Sequence, residues 1–293
     1  MSSATASSRQ TGREFLFTPH DFSRIRSLIY RRAGIALSER KSEMVYSRLA
    51  RRLRAVNHVS FTAYLDALEN DQLPGEWEAF TNALTTNLTA FFREAHHFPV
   101  LADHARTRLA RGEPYRVWCS ASSTGEEPYS IAMTLADAVG ATSGARNATI
   151  SVLASDVDTS ALAKAQGGVY PLERVNALSP AQLKQHFLRG TGRRAGLARV
   201  QPQLQAMVTF QQINLLAEEW PLTERFDAIF CRNVMIYFDK PTQSRILQRF
   251  ERWLKPDGLL FAGHSENFTS ISQAFSLRGK TVYALRTTGS AGA

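Results

Sequence analysis

The sequence predicts an α/β protein: a doubly wound, mostly parallel sheet, preceded by a small all-helical domain and interrupted by a β-hairpin insertion. Three observations predict it. Up to about Leu84 the apolar residues recur at helical spacing. From about Tyr115 short β-rich runs alternate with helical stretches. One glycine-rich interval, Phe187 to Met207, breaks that alternation.

In the helical part, Phe22, Ile25, Leu28 and Ile29 share one helix face. Val45, Leu49, Leu53 and Val56 share another, followed by Phe61, Tyr64, Leu65 and Leu68. A further helix carrying Trp77, Phe80 and Leu84 is expected after Pro74-Gly75. Residues 1–14 are rich in Ser, Thr, Ala and Arg without the apolar centre of a signal peptide, and read as a disordered tail. The helical domain then covers 15–86, a linker 87–114, and the α/β domain 115–293. Strands are expected at Tyr115 to Ser120, Thr149 to Ala154, Val208 to Ile213, Phe226 to Cys231, Leu259 to Ala262 and Thr281 to Leu285. Helices are expected through Ile131 and Leu135, around Leu162, and from Pro241 to Leu254, with a turn at Pro256-Asp257-Gly258. The interval at about 187–207 holds Gly190, Gly192 and Gly196 among Leu197, Val200 and Leu204, the pattern of an ordered hairpin.

Composition narrows the class. Hydrophobic residues are 44% and charged residues 21%, ordinary for a globular protein. No apolar run approaches the roughly 18 residues of a membrane span, so a cytoplasmic protein without direct membrane insertion is expected. Cys119 and Cys231 make no disulfide framework, and no Cys or carboxylate near His96 and His97 completes a ligand spacing; no metal is expected. The formal net charge of +9 points to an acidic partner. The charge is concentrated: Arg24 to Arg54 holds ten Lys/Arg against two Glu.

In a doubly wound sheet, ligands bind beyond the carboxyl ends of the strands, near the topological switch point. After the first strand comes Ser120-Ala121-Ser122-Ser123-Thr124-Gly125-Glu126-Glu127-Pro128, whose one glycine falls short of a dinucleotide fingerprint. Two carboxylates in that turn would repel a pyrophosphate. A cationic cofactor suits them, and S-adenosylmethionine, with sulfonium and ammonium groups, is one. The second strand ends at Asp156, where an acidic residue can accept from ribose hydroxyls. Asn214-Leu215 and Arg232-Asn233 follow the third and fourth strands on the same rim.

Together with these, Asn87-Leu88-Thr89-Ala90-Phe91-Phe92-Arg93, Ala154-Ser155-Asp156, Phe230 to Phe238 and Gly263-His264-Ser265-Glu266 closely resemble the bacterial chemotaxis receptor methyltransferases. The resemblance runs in order from about Asp21 to Arg286. It implies a Rossmann-like methyltransferase fold, with 87–114 beginning the cofactor site. It also implies an S-adenosylmethionine-dependent protein-glutamate O-methyltransferase that forms glutamyl methyl esters on chemoreceptor cytoplasmic helices and leaves S-adenosylhomocysteine. By the same resemblance, Asn87, Thr89, Arg93, Glu127, Asp156, Asn214, Leu215, Arg232 and Asn233 line the cofactor site. The family pattern favours Glu127 over Glu126, which the residues alone do not separate. Arg93 and Tyr237 are expected beside the transferring methyl. A receptor C-terminal tail peptide can dock by strand addition on the β-insertion of some members.

The basic stretch acquires a use in this setting. Arg48, Arg51 and Arg54 form a ridge away from the apolar face of their helix, suited to a substrate helix carrying glutamates. A nucleic-acid methylase is disfavoured, because Asn233-Val234-Met235-Ile236-Tyr237 replaces the Asn/Asp-Pro-Pro-aromatic motif and no stacking platform is evident; nucleic acid is not an expected partner. A cofactor-sensing module without activity would have lost rim residues that are all present. A nicotinamide dehydrogenase lacks its glycine pattern here.

Overall fold

The computed structural model describes residues 13–142 and 148–286. The chain divides into two compact units, Met1–Thr86 and Asn87–Ala293. Among the described residues no helix is long and apolar enough to cross a membrane.

The first unit contains α1 (Pro19–Ala33), α2 (Ser42–Ala55), α3 (Phe61–Glu69) and α4 (Glu76–Leu84). Thr18 and Asp21 form a reciprocal capping box on α1, and Gly34 ends that helix in the left-handed conformation at φ 70°. The apolar faces meet in a core of Ile25, Ile29, Val45, Leu49, Leu53, Phe61, Leu65 and Phe80, all buried. Glu76 is buried among them. Arg52 holds it with two hydrogen bonds of 3.0 and 2.6 Å, and the Tyr64 hydroxyl donates at 2.7 Å. The expected tail lies outside the described residues except for Arg13 and Glu14. Their side chains pair with Glu43 and Arg54.

The second unit opens with α5 (His97–Ala110), inside the stretch read as a linker. Phe98, Leu101, Ala105 and Leu109 bury one face of it, while Pro99 in its first turn masks the periodicity. There follow β1 (Tyr115–Cys119), α6 (Glu126–Ala141), β2 (Ile150–Asp156), α7 (Thr159–Gly167), β3 (Val169–Pro171), α8 (Leu172–Val175), α9 (Pro180–His186), β4 (Phe187–Arg189), β5 (Leu197–Val200) and α10 (Pro202–Gln205). The chain ends through β6 (Val208–Gln212), β7 (Phe226–Cys231), α11 (Lys240–Trp253), β8 (Leu254–Ala262), β9 (Phe275–Gly279) and β10 (Val282–Leu285).

The main sheet has the order β6-β2-β1-β7-β8-β10-β9. All pairings are parallel except those of β10 with β8 and β9. Both faces are covered, as a parallel sheet requires. Val117, Cys119, Ala228, Phe230 and Phe261 pack with α5 and α6; Trp118, Ile229, Cys231 and Leu260 pack with α11. Cys119 and Cys231 therefore project from opposite faces of the sheet, and both thiols are free. The Pro256-Asp257-Gly258 turn is a bulge inside β8: Leu254 opposes Phe226, and the next regular pair is Leu259 with Ala228. Buried Asp227 anchors it, with Lys255 at 2.8 Å and Arg108 at 3.0 Å.

The insertion is larger than the hairpin read from sequence. It is a three-stranded antiparallel sheet of order β3-β5-β4, which takes in Val169–Pro171 as well. Pro171 is tolerated because β3 is an edge strand.

Candidate functional site

The parallel register brings the carboxyl ends of β1, β2, β6 and β7 to one rim: Cys119 pairs with Ala154 and Phe230, and Asp156 with Gln212. From β1 the chain goes to β2 and β6 on one side and returns to β7 on the other. The β1–β7 crevice is therefore the switch point.

The turn after β1 is built by backbone amides. Ser120 N–H bonds Phe230 O at 2.9 Å, Ser122 N–H bonds Ser155 O at 2.8 Å, and Ser123 N–H bonds Asp156 Oδ2 at 2.8 Å. Gly125 sits at φ 99°, where a Cβ would stand 2.6 Å from the Tyr170 hydroxyl and 2.9 Å from Ala165 Cβ. Gly125→Ala is therefore expected to cost about 2–3 kcal/mol, from positive φ and overpacking together. Thermal unfolding checks this; a midpoint equal to that of the parent would show that the turn shifts freely.

Asp156 is fixed on both oxygens, accepting from Ser123 N–H and from Asp158 N–H at 3.0 Å. Burial pushes its carboxyl up, and the backbone amides pull it back. Asn87 ties this corner together. Its Nδ2 donates to Asp158 Oδ2 at 2.7 Å, and its Oδ1 accepts from the Ser123 hydroxyl at 3.2 Å. Asp158 also caps α7 through Ala161 N–H at 3.0 Å. The Thr89 carbonyl accepts at 3.2 Å from Arg174, the residue that pairs with Glu126.

The second corner is ionic. Glu127, on the first turn of α6, takes Arg232 Nη1 at 2.6 Å on one oxygen and the Cys119 thiol at 3.3 Å on the other. Burial pushes the Glu127 carboxyl up, against the pull of Arg232. The Arg232 side chain is 0% exposed and also reaches the Arg93 carbonyl and Glu94 Oε2, the latter at 3.3 Å. Burial, followed by the Arg232 charge, holds the neighbouring His97 imidazole neutral, down to about 4. Glu126, the other member of the doublet, is also buried. It accepts from the Thr124 hydroxyl at 2.6 Å and pairs with Arg174 at 3.4 Å.

The remaining candidates lie on neighbouring loops. Arg93 is half-buried and donates to Leu88 O at 2.9 Å. Asn233 stands at φ 58°, with its side chain on Glu94 Oε1 at 3.3 Å. Tyr237 is half-buried in the short turn Met235–Tyr237. Asn214 accepts from Leu216 N–H at 2.9 Å, whereas the Leu215 side chain packs in the core on the α11 face, so only its backbone is left for the rim. In the first unit, Arg48 donates to Ala83 O at 3.2 Å and to Thr85 O at the end of α4, and Arg54 bonds Glu14 at 2.9 Å. Arg51 is exposed and has no side-chain partner among the described residues.

Three positioning residues escaped sequence reasoning. Buried Glu266 gathers the N–H groups of Asn233 at 2.9 Å, Met235 at 2.8 Å and Gly263 at 2.5 Å, shaping the loop after β7. Gln243 pins the Tyr237 turn through Met235 O at 2.8 Å and Phe238 O at 2.9 Å. Glu94 joins Asn233, His264 and Arg232. Only Glu266 had a sequence signal, its Gly-His-Ser-Glu motif.

The rim thus offers the carboxylates of Glu127 and Asp156 and the side-chain amides of Asn87 and Asn233. Ser122 Oγ and Arg232 Nε are buried there without a hydrogen-bond partner among the described residues. The carboxylates fit the ammonium group and ribose hydroxyls of an adenosyl cofactor such as S-adenosylmethionine, and the two spare donors fit its carboxylate.

Comparison with known proteins agrees. Residues 87–284 match the family model "CheR methyltransferase, SAM binding domain", and residues 20–85 match "CheR methyltransferase, all-alpha domain". A chemotaxis protein methyltransferase of Klebsiella aerogenes is 61% identical over 90% of this chain and 89% of its own. That of Escherichia coli is 59% identical over 90% of each. Chemotaxis protein methyltransferase 2 of Pseudomonas aeruginosa is 52% identical over 97% of this chain and 99% of its own. With both units matched and the likeness sustained along nearly the whole length, the chain belongs to the CheR methyltransferase family and is an S-adenosylmethionine-dependent methyltransferase.

Proposed function

We propose that this chain transfers the methyl group of S-adenosylmethionine to glutamate side chains on the cytoplasmic helices of chemoreceptors, in the cytoplasm, giving glutamyl methyl esters and S-adenosylhomocysteine. The observation that carries it is the pair of carboxylates, buried Glu127 and partly buried Asp156, flanking a single-glycine turn at the switch point. Such a site repels a pyrophosphate and suits a ligand with cationic groups and a ribose diol. The relatives' naming for chemotaxis supports the substrate class.

Each carboxylate has lone pairs beyond those its protein partners use. Asp156 accepts from the ribose hydroxyls, with Asn87 and Thr89 beside it, and Asn214 and the Leu215 backbone flank the adenine end. Glu127 faces the ammonium group, its charge held in place by Arg232, while Arg93 and Asn233 close that side. Bound S-adenosylmethionine supplies a methyl carbon activated by its sulfonium. The acceptor carboxylate is ionised near neutral pH, so no side chain has to remove a proton. The chain's task is to hold the acceptor in line and exclude water. Arg93, tethered to Leu88 O, orients the acceptor carboxylate by a charge-assisted contact. Tyr237, on the turn pinned by Gln243, walls the other side.

Recognition of the acidic receptor helix rests on the α2 ridge, with Arg51 at its centre. The Arg54–Glu14 pair is exposed, and such pairs contribute about 0–1 kcal/mol, so Arg54 can exchange Glu14 for a receptor carboxylate. Arg51→Glu is expected to raise KM for receptor about fivefold or more with kcat little changed, and the effect shrinks as salt rises. Equal KM for the variant and the parent at low salt would remove the ridge from recognition. A receptor C-terminal tail peptide adds as a strand to an edge of the β3-β5-β4 sheet. Tritiated methyl transfer into receptor-bearing membranes, read as base-labile methanol, tests the whole reading; label on nucleic acid, or none, refutes it.

A further inference from the structure

Sequence spacing left His96 and His97 without a third ligand, and the fold supplies one. Ligand atoms of Glu94, His96 and His97 lie within 4.8 Å of one another. Nε2 of each imidazole is 3.1 Å from the carbonyl oxygen of Lys280. A carbonyl only accepts, so an imidazole bonded to it carries the hydrogen on Nε2 and has a bare lone pair on Nδ1; at His97 the Thr281 hydroxyl, 3.1 Å from Nε2, donates to the same carbonyl. Metal-ligating histidines are held in this way, the far N–H on a backbone carbonyl and the near nitrogen turned to the ion. The Lys280 carbonyl is itself fixed. Lys280 and Thr281 form a two-residue hairpin turn at φ 40° and 64°, a conformation that side-chain-bearing residues keep only where the surroundings enforce it.

The nitrogen left over points at a carboxylate. His97 is fully buried, and its Nδ1 has no hydrogen-bond partner among the described residues. It stands 3.9 Å from Glu94 Oε2, which accepts no hydrogen bond among the described residues and has Arg232 Nη2 as its ion partner at 3.3 Å. A cation on the His97 side of that oxygen would face both groups at once. Two donors bound to one zinc ion at about 2.1 Å and a tetrahedral angle lie about 3.4 Å apart, so a closure of about half an ångström completes the pair. Arg232 is shared between two carboxylates, Glu94 and Glu127, so a second cation at Glu94 relieves that sharing.

We propose that Glu94, His96 and His97 bind a divalent transition-metal ion of the zinc class, with a fourth position for water, and that the ion draws Glu94 off Arg232 and so weakens cofactor binding at Glu127. An imidazole and carboxylate donor set suits zinc and its neighbours over calcium or magnesium. The metal site stands on its own geometry, whereas the coupling rests on the cofactor reading above.

The test uses the untagged full-length chain, titrated with zinc chloride against a chromophoric chelator. One equivalent is expected to bind. His96→Ala, at a half-buried position outside the cofactor loops, is expected to lower zinc affinity at least tenfold while leaving S-adenosylhomocysteine affinity in metal-free buffer unchanged. Cobalt(II) in the parent chain is expected to show the visible bands of a tetrahedral site, and His96→Ala to lose them. Zinc is expected to lower S-adenosylhomocysteine affinity severalfold in the parent and not in the variant. Absence of stoichiometric zinc, or equal zinc affinity in His96→Ala, overturns the site. Unchanged S-adenosylhomocysteine affinity in the zinc-loaded chain overturns the coupling. Failure of S-adenosylhomocysteine to bind in metal-free buffer tells against the cofactor reading instead, and the zinc titration still decides the site.

Discussion

Arg232→Met is expected to destabilise the second unit by about 3–5 kcal/mol, because it leaves buried Glu127 without its ion partner and Glu94 without its nearest cation. In a unit of this size that corresponds to a fall of roughly 10 °C in unfolding midpoint. Adding Glu127→Gln removes the unpaired charge, and most of the stability is expected to return, since a buried ion pair is often nearly neutral against uncharged replacements. S-adenosylhomocysteine binding is not expected to return in the double variant, because both cofactor-facing groups have gone. Calorimetric titration beside thermal unfolding separates the two roles. Recovered stability together with parental binding would show that the pair is scaffold alone.

The contrast between Glu127 and Leu215 shows how far the rim was legible in sequence. Strand ends followed by polar residues marked the rim, because strand periodicity and loop chemistry are local properties. The same pattern could not say that Glu127 is half consumed by Arg232, more than a hundred residues away, nor that the Leu215 side chain turns into the core. Arg48 makes the same point in the helical unit: its wheel position is on the ridge, yet it is engaged by the last carbonyls of α4. Glu94, Gln243 and most of α5 escaped as well. Glu94 acts on Asn233, which only the sheet order brings near; Gln243 acts on the backbone carbonyls of a nearby turn, which no residue type signals; and Pro99 masks the period of α5. The insertion was visible in its glycines, but β3 is three residues long and ends in proline, too short for a period of two to register.

Asp156 is where structural and binding roles are hardest to separate, and the expected results differ by substitution. Asp156→Ala strips the acceptor from two backbone N–H groups, those of Ser123 and Asp158, at about 1–3 kcal/mol for each donor left buried and unpaired. The turn after β1 loosens with it, so both the unfolding midpoint and S-adenosylhomocysteine affinity are expected to fall, the latter by about a hundredfold or more. Asp156→Asn keeps one acceptor oxygen and the shape but loses the charge, and its amide nitrogen then faces a backbone N–H. Hydrogen bonds to a charged group contribute about 1.5–3 kcal/mol against about 1 for a neutral one, so an affinity loss of roughly tenfold with a smaller thermal penalty is expected. The ribose assignment adds one discriminating result. S-adenosylhomocysteine lacking a ribose hydroxyl should bind the parent less well than intact ligand, while Asp156→Ala should bind the two alike. If the parent does not discriminate between them, Asp156 acts on the loop and not on the ribose, and the carboxylate that faces the cofactor must be sought at Glu127 alone.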